Sequence, residues 1–172
     1  MSTPQSFISD EESVARILHN DWFVGGRLQL GAFTLRPRET YISVNRPSVN
    51  SFLADVTDFV NSHDDYQYSS SSCLCAVLKV RDVRGIKVNY GNRPLRIDVE
   101  VEPRALHTAS HAGIFARTGG INIKPGQTLP PEALPLGISA DDVLMEIGWG
   151  LIAISSVEEQ MLQGKRCQGT GQ

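Results

Sequence analysis

Residues 95–117 read LRIDVEVEPRALHTASHAGIFAR. In the first part Leu95, Ile97, Val99 and Val101 alternate with Arg96, Asp98, Glu100 and Glu102. That two-residue period belongs to a strand with one face in the core and the other in water. Antiparallel sheets tolerate such a wet face, whereas strands of a parallel sheet are usually apolar on both sides. The strand runs into a segment that holds two of the four histidines, His107 and His111.

Working outward, Phe52, Leu53, Val56, Phe59 and Val60 recur at helical spacing, with Asp55 and Asp58 off the stripe, and predict a helix. Residues 73–80 are apolar on both faces, as in a covered central strand. Residues 41–45 alternate, Ile42 and Val44 on one face and Tyr41, Ser43 and Asn45 on the other, and predict a strand ending near Pro47. Ser9 and Glu12 have the form of a capping box, and Val14, Ile17 and Leu18 follow at helical spacing, so a first helix is expected there.

Residues 22–33 read as extended structure broken by Gly25, Gly26 and Gly31, and HDDYQYSSSS at 63–72 as an exposed loop. Ile86, Val88 and Tyr90 alternate up to Gly91-Asn92, a hairpin signal. The Gly/Pro-rich segment 118–137 reads as a long loop wrapping the core. Ser139 and Asp142 repeat the capping pattern ahead of Val143, Leu144, Ile147, Leu151 and Ile154, one side of a helix. Gly148 and Gly150 weaken that helix by about 1 kcal/mol each, leaving a second reading: a helix ending at Gly148, then a strand over 151–155.

Strands and helices that do not alternate regularly predict an α+β fold, a mixed or mostly antiparallel sheet with two to three packed helices. One globular domain is expected over 1–163, with a flexible tail over 164–172. A doubly wound nucleotide-binding fold is not expected, since no glycine loop cradles a phosphate.

The composition is that of a globular chain: 41% of the 172 residues are hydrophobic and 20% charged, outside the range of disordered sequences. A net charge of -3 supplies no global field toward nucleic acid or an anionic membrane. Cys73, Cys75 and Cys167 are an odd number, so a disulfide framework is not expected; Cys73 and Cys75 share one strand face as small apolar groups. The N-terminus lacks the basic and apolar regions of a signal peptide, and the longest apolar-plus-glycine run, 147–154, is too short to cross a bilayer. A cytoplasmic location is expected.

Two constellations are candidates for function. His107 and His111 would share one face if Pro103 began a helix, but no further ligand at a recognised spacing supports a metal site, and no cofactor is expected. His111 stands between Ser110 and the small pair Ala112-Gly113, where backbone amides can approach a ligand. The second constellation is the polar strand face Tyr41, Ser43 and Asn45, flanked by Arg36, Arg38 and Arg46. In an enzyme, His111 would be general acid or base, Ser43 or Ser110 a nucleophile or positioning hydroxyl, and Arg46 or Arg104 the holder of an anionic group. Tyr41, Arg104, His107 and Ser110 are the candidate ligand-binding residues.

The run RxxExYISVNR at 36–46, followed by VEP at 101–103 and SHAGI at 110–114, resembles a family of small uncharacterised bacterial proteins. The resemblance covers about 22–115. It implies a bacterial cytoplasmic origin, draws attention to Ser43, Arg46, Ser110 and His111, and adds no reaction.

In the absence of a catalytic signature, the sequence favours a binding or interaction module for a protein partner or a small anionic ligand. The alternative is a small histidine-dependent hydrolase or transferase acting on a phosphate or acyl group, its pocket formed where the Ser43 strand meets the His111 segment.

Overall fold

The computed structural model of the protein describes residues 7–88, 96–105, 108–128 and 137–164. Its centre is an antiparallel sheet built from β1 (Ser13–Ile17), β4 (Ile42–Asn45), β5 (Ser72–Lys79), β6 (Asp98–Pro103), β7 (His111–Thr118) and β9 (Ser156–Met161). The spatial order is β6-β7-β4-β1-β5-β9, and the short β8 (Ile121–Asn122) pairs with β7. A separate ribbon joins β2 (Phe23–Val24) to β3 (Arg27–Leu28) through Gly25 and Gly26, both at positive φ, as a two-residue hairpin turn requires. With the helices α1 (Phe52–Ser62), α2 (Val80–Arg84) and α3 (Ala140–Ile154), this is a single α+β domain.

Strand alternation sorts the side chains into two layers. Val14, Ile42, Val44, Leu78, Val99, Val101 and Ile114 form one apolar face, which packs with Val143, Ile147 and Leu151 of α3. The capping box starts α3: the Asp142 amide donates to Ser139 Oγ and the Ser139 amide to the Asp142 carboxylate. On the opposite face, Ala15, Ile17, Cys73 and Cys75 pack against Val56 and Val60 of α1. Both cysteines are free and buried there.

Several expectations are corrected. Residues 13–17 form a strand, not a helix. Val14, Ala15, Ile17 and Leu18 are all buried because α3 covers one side of this central strand and α1 the other, which erases the two-residue period. Ser9 and Glu12 instead close a turn, in which the Glu12 amide donates to the Ser9 carbonyl.

No helix starts at Pro103: β6 ends there, and His111 opens β7. Helix α3 runs through Gly148 and Gly150 to Ile154, and the last strand begins at Ser156, beyond the 151–155 of the alternative reading. A Cβ at Gly148 would lie 2.9 Å from Leu30 Cδ1, so the glycine lets the turn at Leu30–Phe33 press against the helix. The segment after β7 includes β8, with its turn at Gly119 and Gly120, both at positive φ. Ile86 and Val88 carry no strand; the rest of the expected hairpin, residues 129–136 of the Gly/Pro-rich segment and the tail from 165 lie outside the described residues.

Glu100 and Glu102, expected as solvated strand residues, are held in ion pairs with Arg84 and Arg117. Among the described residues no helix is long and apolar enough to cross a membrane.

Candidate functional site

Helix α1 covers only part of its sheet face. Where it stops, β4 and β7 present polar or small side chains in register, Asn45 opposite His111 and Ser43 opposite Gly113. The uncovered strip is the floor of a pocket of about 310 Å³ lined by Ser43, Asn45 and His111, with Trp22, Phe59 and Tyr66 among its apolar groups. Arg16, Arg36, Glu39 and Asp55 bring the charges. The rings support one another: Trp22 and Tyr66 are 5.8 Å apart and Phe59 and Tyr66 4.9 Å apart, both edge to face.

Arg16 belongs to β1, whose ladder with β4 is registered only at Ala15 and Asn45. Beyond that pair its guanidinium fills the gap between the strands. Nη1 donates to the Ser43 carbonyl at 2.9 Å and Nε to the Ala32 carbonyl at 3.0 Å. The Trp22 ring centroid lies 4.8 Å from the guanidinium carbon, in cation–π range. Among the described residues no carboxylate lies within ion-pair distance of Arg16. Burial lowers its pKa to about 10, an effect that Tyr66 and Glu39 partly offset and Arg36 augments. The group stays cationic at neutral pH, and its full charge faces a pocket.

At the other end of the floor is a fixed hydrogen-bond chain. Asp55 Oδ2 accepts from Ser51 Oγ at 2.9 Å, from the Ser110 amide at 3.1 Å and from Ser110 Oγ at 2.5 Å. Because the carboxylate only accepts, Ser110 Oγ must donate to it and can receive only a donor on its other side. That donor is Asn45 Nδ2, at 2.9 Å. The chain therefore fixes the orientation of the Asn45 amide, with its oxygen turned away from Ser110.

The sequence candidates divide into three groups. Ser43 and His111 line the pocket together. Ser110 is buried beneath it and acts as a positioning residue for Asn45 and Asp55. Tyr41 and Arg104 stand beside it: the Tyr41 ring lies across Gly113, where a Cβ would come within 2.6 Å, and the Arg104 guanidinium stacks 4.9 Å from that ring. The Tyr41 and His111 ring centroids are 5.9 Å apart. His107 lies outside the described residues.

Arg46 is elsewhere. It follows Ile42 and Val44 in the strand's alternation, so it turns to the opposite face from Ser43. There it is 5% exposed and donates through Nε and Nη2 to Glu12 Oε1 at 3.1 and 2.9 Å.

Sequence reasoning passed over Arg16, Trp22, Phe59, Tyr66 and Asp55 as site residues. The legible signal was Arg16 itself, a lone charge inside the apolar run Val14-Ala15-Arg16-Ile17-Leu18. Among the described residues no group of three His, Cys, Asp or Glu side chains is placed to hold a metal. The chain matches no family model, no curated protein and no solved structure.

Proposed function

We propose that the protein is a binding module for a small anionic ligand whose anionic group sits against Arg16. One observation carries this reading: a half-buried guanidinium, held by two carbonyls and an indole, faces a pocket without an ion-paired carboxylate among the described residues. Burying an unpaired charge is costly, and a ligand carboxylate or phosphate would offset that cost with charge-assisted hydrogen bonds. The concave, partly aromatic walls suit a small molecule better than a protein surface. Free buried thiols at Cys73 and Cys75 support a reducing, cytoplasmic setting; a bacterial origin rests only on the resemblance carried by the runs at 36–46, 101–103 and 110–114.

Isothermal titration with 4-methylbenzoate and with inorganic phosphate tests the proposal. At least one should bind, with affinity falling as salt rises, and Arg16→Met should weaken it about tenfold or more, the worth of one charge-assisted contact. Affinity unchanged in Arg16→Met would sink the reading.

A histidine-dependent hydrolase or transferase acting on a phosphate or acyl group is the second reading, favoured by the meeting of Ser43 and His111 in the same pocket. It requires turnover of nitrophenyl phosphates or esters that His111→Ala abolishes while ligand affinity survives. No turnover in the wild type removes it.

A further inference from the structure

The pocket that accepts an anion at Arg16 carries as much negative as positive charge. Arg16 and Arg36 are balanced by Glu39 and Asp55. A purely anionic ligand would satisfy the arginines and leave a carboxylate to be desolvated against it. The charge at the Asn45 end is specific in kind. Asp55 Oδ2 is saturated by three donors, and no hydrogen bond reaches Oδ1 from the described residues. With Nδ2 turned to Ser110, no hydrogen bond from the described residues reaches Asn45 Oδ1 either. Both residues line the cavity, so this end offers acceptors and calls for an N–H or O–H donor.

The two ends lie along β4. Arg16 binds the carbonyl of Ser43, and Asn45 is two residues further on. Two residues of strand span roughly 7 Å at ~3.3 Å each. The same pocket has apolar lining from Ile17 and Phe59 and from the Trp22 and Tyr66 rings.

Resting on the anion-pocket reading, we infer that the ligand is a zwitterion: a carboxylate or phosphate at Arg16, a primary ammonium at Asp55 and Asn45, and a short apolar body between. The charges stand about one ring apart, not on one carbon as in an α-amino acid.

A matched set of probes tests this on the full chain. 4-(Aminomethyl)benzoate carries both charges across a flat ring, 4-methylbenzoate keeps only the anion, 4-methylbenzylamine only the ammonium, and phenylalanine places both charges on one carbon. The aminomethyl compound should bind about tenfold or more tighter than 4-methylbenzoate, and tighter than phenylalanine. Asp55→Asn keeps an oxygen for Ser51 and Ser110 and should erase that advantage, weakening the aminomethyl compound but not 4-methylbenzoate, which no longer meets a carboxylate. Asn45→Ala should reduce it in part, and serves if Asp55→Asn fails to fold by circular dichroism.

Equal affinity for the aminomethyl compound and 4-methylbenzoate, or an advantage that survives both variants, overturns the zwitterion inference and leaves the anion reading standing. Phenylalanine binding as tightly as the aminomethyl compound overturns the spacing. Arg16-dependent binding of inorganic phosphate but of no carboxylate probe overturns the zwitterion inference alone; if neither phosphate nor any carboxylate probe binds in an Arg16-dependent way, the anion reading fails and this inference with it.

Discussion

Arg16 lies in β1 and Arg46 directly after β4, the neighbouring strand, and their surroundings differ in one respect: only Arg46 has a carboxylate partner among the described residues. Arg46 is closed in with Glu12, a carboxylate that also accepts from Ser48 Oγ at 2.7 Å and the Ser9 amide at 2.9 Å. Arg16 has two carbonyls and the Trp22 ring. A carbonyl satisfies a donor but does not neutralise a charge. The first guanidinium therefore ties the turn at Ser9 to the end of β4, and the second faces the pocket with no ion-paired carboxylate among the described residues.

Breaking the Arg46 side should have the largest effect. Arg46→Met leaves the Glu12 carboxylate half-supported in a nearly closed site and should cost about 3–5 kcal/mol, read from urea unfolding. Arg16→Met should cost less, because relief of the unpaired charge offsets a cost of about 1–3 kcal/mol for each of the Ala32 and Ser43 carbonyls it strands, while removing ligand binding. If the two stability losses come out equal, or in the opposite order, the contrast between the arginines fails.

Acid unfolding sharpens the same contrast. Burial acts to raise the Glu12 pKa, but hydrogen bonds from Ser48, the Ser9 amide and Arg46 outweigh it and hold the group below its ordinary value of 4.5. A carboxylate depressed in the folded state contributes stability above its unfolded pKa, and that contribution is lost as the pH falls through the folded value. Stability should therefore decline below about pH 4.5, and Glu12→Gln should flatten part of that decline by removing this group's share. An unchanged acid limb in Glu12→Gln would show that Glu12 contributes nothing to it. The smallest effect belongs to Ser48→Ala, which removes one exposed hydrogen bond to Glu12 and should cost under about 1 kcal/mol in the same urea assay.

The placement of Arg46 was open to reading in the sequence. Ile42, Val44 and Arg46 share one strand phase and Ser43 and Asn45 the other, so alternation alone separates Arg46 from the polar face. Its charge drew it into the candidate site against its position. The strand at 13–17 was less legible. Two-sided burial gave Val14, Ile17 and Leu18 a spacing shared by helix and strand, and only the packing of α1 and α3 on opposite faces distinguishes them. Asp55 fell off the apolar stripe of α1 and looked like a solvated helix residue, yet that helix edge overlooks the strip of sheet that α1 leaves bare.

What the sequence by itself determined was local and periodic: the strand at β6, the stripe of α1, the capping box of α3, the wet face of β4 and the class of fold these compose. Each depends on a pattern within about ten residues, where backbone geometry alone sets which side chains share a face. The tertiary structure decided how far α1 reaches across its sheet face, where β1 and β4 part so that Arg16 can enter, and which carboxylate meets which arginine. Those outcomes bring together residues as distant as Arg16, Asp55 and His111. No period in a chain records contacts closed by packing elements far apart in sequence.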